Sequence, residues 1–163
     1  MNLMIKQFFL LYFLVCGFKS LGQPCETQLI TTNQFSGISL GPSCGFLQEF
    51  KGQFQPTLEQ INEAEQGMND QLYERMIEHA QIESRFAIKN PMRHYRKWKR
   101  QYFGYVNDLG QQIIKINLLN FGARNAKTKF VGWKKHFIFG FGKFYEKNTR
   151  SYTYNLTTGR LKI

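Results

Sequence analysis

The chain contains few of the residues that build metal or redox centres. It has three cysteines and three histidines, and no two cysteines form a C-x-x-C pair. The histidines fall on different predicted elements, at no ligand-like spacing from a cysteine: His79, His94 and His136. A redox-active cysteine pair and a zinc site are therefore both disfavoured, and we expect neither a metal nor a cofactor.

Acidic residues are scarce in the second half of the chain. Residues 89–163 carry seventeen basic side chains and two acids, whereas residues 23–88 carry three basic side chains and nine acids. The net charge of +11 is therefore a property of the C-terminal half. We expect the acidic and basic halves to neutralise each other in part when the domain folds.

Apolar runs are short as well, and the main one lies at the N-terminus. It extends from Phe8 to Phe18, follows Lys6 and precedes Gly22. Its length of about 11 residues is well below the roughly 20 that a membrane-spanning helix needs. Residues 1–22 therefore predict a secretory signal peptide that is cut after Gly22, rather than a membrane anchor. We expect the protein to be exported, to the periplasm or beyond, with no transmembrane segment after cleavage.

Cleavage at that point leaves two cysteines, Cys25 and Cys44. Cys16 is removed with the signal peptide, and the residue before it is not the small one that lipoprotein signals carry. In an exported chain the remaining pair favours one disulfide, with two free thiols as the alternative. The length predicts a single folded domain. We divide the chain after the signal peptide into an N-terminal segment, residues 23–55, and a helix-plus-sheet domain, residues 56–163.

The acidic half has the periodicity of an amphipathic helix that begins after Pro56 and ends before Pro91. Thr57 is predicted as its N-cap, and Gln60 completes a capping box. Apolar residues recur every three or four positions: Leu58, Ile61, Ala64, Met68, Leu72, Met76 and Ala80. Several acids lie away from that stripe: Glu59, Glu63, Asp70, Glu74 and Glu78. Gly67 interrupts the pattern and allows a kink or a close backbone contact.

The basic half has the alternation and the turn residues of an antiparallel sheet. Four strands are predicted, at residues 97–106, 112–120, 132–142 and 150–156. The sequence NDLG predicts the first turn, with Gly110 at positive φ, and TTGR predicts the last. We therefore predict an α+β fold, in which one long amphipathic helix packs on a four-stranded antiparallel β-meander.

Over residues 56–163 this arrangement resembles the cystatin-like and NTF2-like architectures. The segments YFGYVNDLGQQIIKINLLNF and YTYNLTTGRL are similar to segments of small exported bacterial proteins of uncharacterised function. Cystatin inhibitors carry a Q-x-V-x-G hairpin and a Pro-Trp hairpin, whereas the first hairpin here reads YVNDLG and no Pro-Trp pair occurs. The resemblance therefore implies a shape, without protease inhibition.

No catalytic motif stands out in the sequence, and we name no catalytic residue. The sequence GFGKF at residues 140–144 lacks the spacing of a phosphate-binding loop and predicts a bulge or turn. His79 and Glu83 lie one helical turn apart, but no further metal ligand is tied to them. NTF2-like folds house enzymes in a pocket between helix and sheet. A small-ligand-binding protein or an enzyme with such a pocket is therefore the alternative prediction.

The strongest functional signal is RHYRKWKRQYFGY, residues 93–105, where basic and aromatic side chains occur together without an acid. Lysines beside exposed aromatic rings are typical of polyanion-binding surfaces. The predicted binding residues are Arg93, Arg96, Lys97, Lys99, Arg100, Phe103 and Tyr105. Because export is expected, an anionic envelope component or an acidic protein is favoured over nucleic acid. We predict a non-enzymatic binding module; alternatively, these cations only solvate the sheet and pair with the acidic helix.

Overall fold

The structure is a computed structural model that describes residues 25–44, 50–80 and 90–163, with only the backbone of Ala80. The predicted signal peptide, residues 1–22, lies outside the described residues. Within the described ranges, no helix combines the length and the apolar character that crossing a membrane requires.

One sheet of six strands, arranged in chain order, forms the centre of the fold. Its strands are β1 (Thr27–Thr31), β2 (Ser36–Leu40), β3 (Lys99–Val106), β4 (Gln112–Leu119), β5 (Thr149–Asn155) and β6 (Arg160–Lys162). Neighbours pair antiparallel, except that β2 runs parallel to β3, with Ser36 opposite Lys99. The predicted α+β class is confirmed. The predicted four-stranded antiparallel meander is wrong, because the sheet is mixed and has six strands.

The two additional strands come from the N-terminal segment. β1 and β2 form a hairpin closed by Thr32, whose amide donates to the Phe35 carbonyl at 2.9 Å and whose hydroxyl accepts from the Phe35 amide at 3.1 Å. A disulfide joins Cys25 to Cys44 across the two ends of this hairpin, as predicted. Cys44 is fully buried and packs with Ile38 and Leu40, so the bridge and β2 are part of the core, whereas β1 is mostly exposed.

The long helix α1 (Leu58–Ala80) begins as predicted. The Thr57 amide donates to Gln60 Oε1 at 3.0 Å, and the Gln60 amide donates to Thr57 Oγ1 at 3.3 Å, which is the reciprocal pattern of a capping box. The middle of the apolar stripe is fully buried: Ile61, Ala64, Met68 and Leu72. Gly67 makes the close contact that the sequence allowed, because a Cβ there would lie 2.1 Å from Cε2 of Tyr154. The predicted end of the helix falls within residues 81–89, outside the described residues.

The predicted strand at residues 132–142 is wrong. Gly132 and Gly142, the two ends of this stretch, have φ values of 74° and 89°, which a β-strand does not contain. The residues between them form a turn at 133–135 and no strand after it. Two short helices flank it, α3 (Ala126–Lys129) and α4 (Lys143–Asn148). The strand that follows β4 in the sheet is therefore β5.

The other predicted strands and both turns are present, with small shifts at the ends. A third short helix, α2 (Met92–Tyr95), precedes β3, and the Trp98 amide donates to the Tyr95 carbonyl at 3.0 Å. Because this turn occupies residues 96–98, β3 begins two residues after the predicted start at residue 97. Gly110 and Gly159 have the positive φ values, 73° and 65°, that the two turns require.

Both faces of the sheet are covered. On one face α1 packs against residues that include Tyr102, Ile116 and Tyr152. On the opposite face Phe103 packs with Phe137, a residue of the long connection from β4 to β5. We call that connection, residues 120–148, the basic connection. Because α1 and the basic connection cover opposite faces, the sheet separates the acidic helix from the basic connection.

Candidate functional site

Four of the predicted binding residues lie at or just before the start of β3. Arg93 is exposed on α2, and Arg96 and Lys97 are exposed in the turn that follows it. Lys99 is half-buried, and its Nζ donates to Ser36 Oγ on β2 at 2.7 Å. The three exposed cations are accessible to a partner, whereas Lys99 contributes to the β2–β3 contact.

Arg100 is buried, with 1% of its surface exposed. Its Nε donates to Glu65 Oε1 at 2.8 Å, and its Nη1 donates to the carbonyl oxygens of Tyr95 and Trp98 at 3.2 and 2.7 Å. The guanidinium also lies 5.4 Å from the centre of the Phe35 ring. Arg100 therefore pairs with the acidic helix inside the fold and is not accessible to a partner.

The two predicted aromatic contacts lie on the opposite face from Arg100, under covering chain. Phe103 is fully buried, and Tyr105 is half-buried with its ring 4.4 Å from that of Phe50. Burial raises the pKa of Tyr105. The seven predicted residues therefore do not form one surface, because the strand turns alternate side chains to opposite faces and both faces are covered.

The exposed positive charge is concentrated in the basic connection instead. Its seven basic side chains are all exposed: Arg124, Lys127, Lys129, Lys134, Lys135, Lys143 and Lys147. Glu146 is its single acid. A segment of this composition that lies on the protein surface attracts anions.

Two polar side chains of the sheet hold the middle of the basic connection. Gln101 Nε2 donates to the carbonyl oxygens of Trp133 and His136 at 2.5 and 2.7 Å, and its Oε1 accepts from the Ile138 amide at 2.8 Å. Asn117 Nδ2 donates to Gln101 Oε1 at 3.0 Å and to the Ile138 carbonyl at 2.9 Å. The two buried amides thus fix the backbone of residues 133–138 on the sheet.

Aromatic packing fixes the flanking parts of the connection. Phe130 is fully buried and its ring lies 5.4 Å from that of Phe144, while the Tyr145 hydroxyl donates to the Lys129 carbonyl at 3.1 Å. Gly140 lies directly on the Tyr145 ring, since a Cβ there would be 2.6 Å from ring carbons. The chain on both sides of residues 133–138 is therefore packed into one body.

Large apolar side chains remain exposed on this body. Val131 is 76% exposed, Phe139 is 58% exposed and Phe141 is 84% exposed. The rings of Phe139 and Phe141 contact each other edge to face, with centroids 4.9 Å apart. The basic connection thus presents an aromatic pair among lysines, the combination that the sequence predicted for β3.

The charges of the two halves remain largely apart. In the part of the chain that the structure describes, one ion pair links them, between Glu65 and Arg100, while Arg75 pairs with Glu78 inside α1. The predicted acids of α1 are all exposed: Glu59, Glu63, Asp70, Glu74 and Glu78. Internal neutralisation is therefore limited in the described residues, and the molecule has an acidic and a basic side.

The middle of the space between α1 and the sheet is filled by buried side chains. A cleft of about 710 Å³ lies between the C-terminal part of α1 and the sheet, and it is lined in part by Arg75, His79, Ile113 and Arg160. A smaller polar space of about 110 Å³ lies beside Glu65 and Arg100. Among the described residues, no group of three or more His, Cys, Asp or Glu side chains is placed to hold a metal ion.

Sequence reasoning missed the main components of this surface. Phe139 and Phe141 were assigned to a strand, although the glycines at positions 140 and 142 are a signal against one. Glu65 occupies a stripe position, four residues after Ile61 and three before Met68, and an acid there indicates a buried partner. Gln101 has no comparable signal.

Comparisons of the chain with protein-family models, with curated proteins and with solved structures found no match. The resemblance to cystatin-like and NTF2-like architectures stays a prediction.

Proposed function

We propose that the protein is an exported, non-enzymatic binding module that engages an anionic component of the cell envelope through its basic connection. One observation carries the proposal: seven cations and a single acid are exposed on a segment that is fixed to one face of the sheet, opposite the acidic helix. Such a distribution orients the molecule toward an anionic surface and away from a cationic one.

Export is part of this proposal and has two supports. The sequence of residues 1–22 has the layout of a secretory signal peptide. The Cys25–Cys44 disulfide belongs with an oxidising compartment, because thiols are kept reduced in the cytosol.

Rigidity supports binding by the same segment. The Asn120 amide donates to the Asn148 carbonyl at 2.9 Å, which joins the two ends of the basic connection, and the bonds from Gln101 fix its middle. A cation held in place loses less conformational entropy on binding than one on a free loop. Buried side chains fill the middle of the interface between α1 and the sheet, which favours this proposal over a ligand pocket at that position.

The test is retention on immobilised heparin, which serves as a soluble polyanionic probe. The variant K127Q/K134Q/K135Q removes three charges from the basic connection, and R93Q/R96Q/K97Q removes three exposed charges at the start of β3. We expect the wild-type protein to elute at high salt, and the first variant to elute at clearly lower salt than the second.

Equal shifts from the two variants would contradict the proposal, because retention would then follow net charge alone. All six side chains are exposed, so each single substitution should change the free energy of unfolding by no more than about 0.5 kcal/mol. Thermal unfolding of each variant checks that condition. Arg100 is left unchanged, because its substitution would disrupt the fold.

A further inference from the structure

The basic connection carries an exposed apolar feature in addition to its cations. Phe139 and Phe141 are largely exposed and contact each other at 4.9 Å between ring centroids. Two such rings side by side on the surface of a monomer are unfavourable in water, and adjacent exposed apolar groups commonly mark an interaction site.

The backbone between the two rings is held against the protein. Gly140 lies on the Tyr145 ring, and Tyr145 is itself bonded to the backbone of Lys129. Because Gly140 packs inward, the side chains on either side of it extend toward solvent. The backbone that carries the aromatic pair is therefore fixed by its packing against the rest of the basic connection.

Cations flank this aromatic pair in the sequence. Lys134 and Lys135 precede Phe139, and Lys143 follows Phe141 by two residues. The backbone of Lys129 is bonded to Tyr145, the residue whose ring contacts Gly140. Apolar rings flanked by lysines match the two layers of an anionic bilayer surface, since the rings enter the boundary of the acyl chains while the ammonium groups contact the headgroups.

We propose that the anionic partner is the surface of a phospholipid bilayer that contains anionic lipids, with Phe139 and Phe141 inserted at the headgroup level. This inference rests on the proposed function and names the partner of the same site. Phenylalanine has no polar tip, so both rings can enter the apolar boundary without leaving a hydrogen-bonding group unsatisfied. In this orientation the acidic face of α1 points away from the negative surface.

The experiment compares two kinds of vesicle: phosphatidylcholine alone, and equal parts of phosphatidylcholine and phosphatidylglycerol. The protein is the chain from Gln23 onward, which keeps every described residue and lacks the apolar run of residues 8–18. We expect sedimentation with the anionic vesicles and not with the neutral ones, and a loss of binding at high salt.

The decisive variant is F139S/F141S, which we expect to weaken binding to the anionic vesicles by about tenfold or more without changing elution from heparin. The matched control is L29S/L109S, which removes two exposed apolar side chains elsewhere on the surface and should bind vesicles like the wild type. In F141W, the indole emission should shift to shorter wavelength when anionic vesicles are added.

The outcomes separate the two proposals. Vesicle binding that is unchanged in F139S/F141S overturns the bilayer inference, and the proposed function still stands if K127Q/K134Q/K135Q weakens retention on heparin. If the lysine substitutions change neither heparin retention nor vesicle binding, both proposals fail. Equal binding to neutral and anionic vesicles also overturns the inference, because the lysines would then contribute nothing.

Discussion

Gln101 and Asn117 face each other across β3 and β4, and their amide groups bond both to each other and to the backbone of the basic connection. Most of the Gln101 hydrogen bonds cross from the sheet to a segment with no strand of its own. The two side chains therefore provide hydrogen-bond partners for backbone groups of residues 133–138. Elsewhere in the sheet, a neighbouring strand provides these partners to backbone groups that are buried from water.

Replacing Gln101 by alanine should destabilise the protein by about 2 to 4 kcal/mol, because buried carbonyl and amide groups of the basic connection lose their partner. Urea unfolding measures this loss, and faster hydrogen exchange of the Ile138 amide should localise it. Gln28→Ala, at an exposed position in β1, is the control and should be nearly neutral. If Ile138 exchanges at the wild-type rate in Q101A, the bonds from Gln101 do not hold the connection.

Removing Glu65 alone should strongly destabilise the folded protein. In E65A the buried Arg100 guanidinium loses its counter-charge, and we expect a loss of about 3 to 5 kcal/mol. The double variant E65L/R100M replaces the pair with apolar side chains of similar size and should recover most of that loss. Denaturant midpoints compare the two. A double variant as unstable as E65A would mean that the bonds from Arg100 to backbone carbonyls contribute more than the ion pair.

The protein should become less stable at alkaline pH because Tyr102 ionises more readily in the unfolded chain than in the folded protein. Burial first, and then the negative charge of Glu65, raises the pKa of Tyr102 well above its ordinary value near 10, although Arg100 opposes the shift. Above about pH 10 the unfolded chain releases this proton while the folded protein retains it. The free energy of unfolding therefore falls by about 1.4 kcal/mol per pH unit, as the pH rises from the pKa of Tyr102 in the unfolded chain toward its pKa in the folded protein.

Urea unfolding at a series of pH values between about 9 and 12 measures this decline. Tyr102→Phe lacks the titrating group, so its stability should fall less steeply over the same interval, from a lower starting value because the bond to Glu65 is lost. Parallel curves for the two proteins would show that Tyr102 is not responsible.

Gly67→Ala should destabilise the protein, although alanine is the better helix former by about 1 kcal/mol. Its methyl group would overlap the Tyr154 ring, and overpacking of this kind costs about 1 to 3 kcal/mol. Asn62→Ala, at an exposed position of the same helix, should be neutral or slightly stabilising. A cycle with Tyr154→Ala tests the cause, since G67A should cost much less once the ring is gone. A G67A variant more stable than the wild type would rule out the clash.

Local patterns predicted those parts of the fold that local forces determine. The capping box at Thr57, the buried stripe of α1 and the turn at Gly110 all depend on residues a few positions apart. The hairpin of β1 and β2 was missed because each strand is short and β2 pairs with distant β3. At residues 132–142 aromatic alternation indicates a strand, but the chain turns at Gly132 and Gly142, which have positive φ, and Gln101 and Asn117 bind the backbone between them.

The candidate site was predictable in its chemistry but not in its position. The sequence indicates a basic, aromatic-rich C-terminal half, and the exposed cations lie there. The exposure of a strand residue depends on what covers each face of the sheet. Arg100 is buried against Glu65 of α1, and Phe103 is buried under the basic connection, for which the sequence predicts a strand. The sequence pattern carries no information about those tertiary contacts. It therefore predicts the binding surface on β3, where basic and aromatic residues are adjacent in the chain.

The parallel contact between β2 and β3 has a kinetic consequence. Ser36 and Lys99 are 63 positions apart, whereas shorter connections join the other neighbouring strands. Closing the longer loop costs more chain entropy, so β2 should dock last, and pulse-labelled hydrogen exchange during refolding should protect β4 amides before β2 amides. Simultaneous protection would contradict this order. Until β2 docks, the backbone groups at the outer edge of β3 are unpaired, and the folding chain is most prone to pair wrongly with a second copy during that interval.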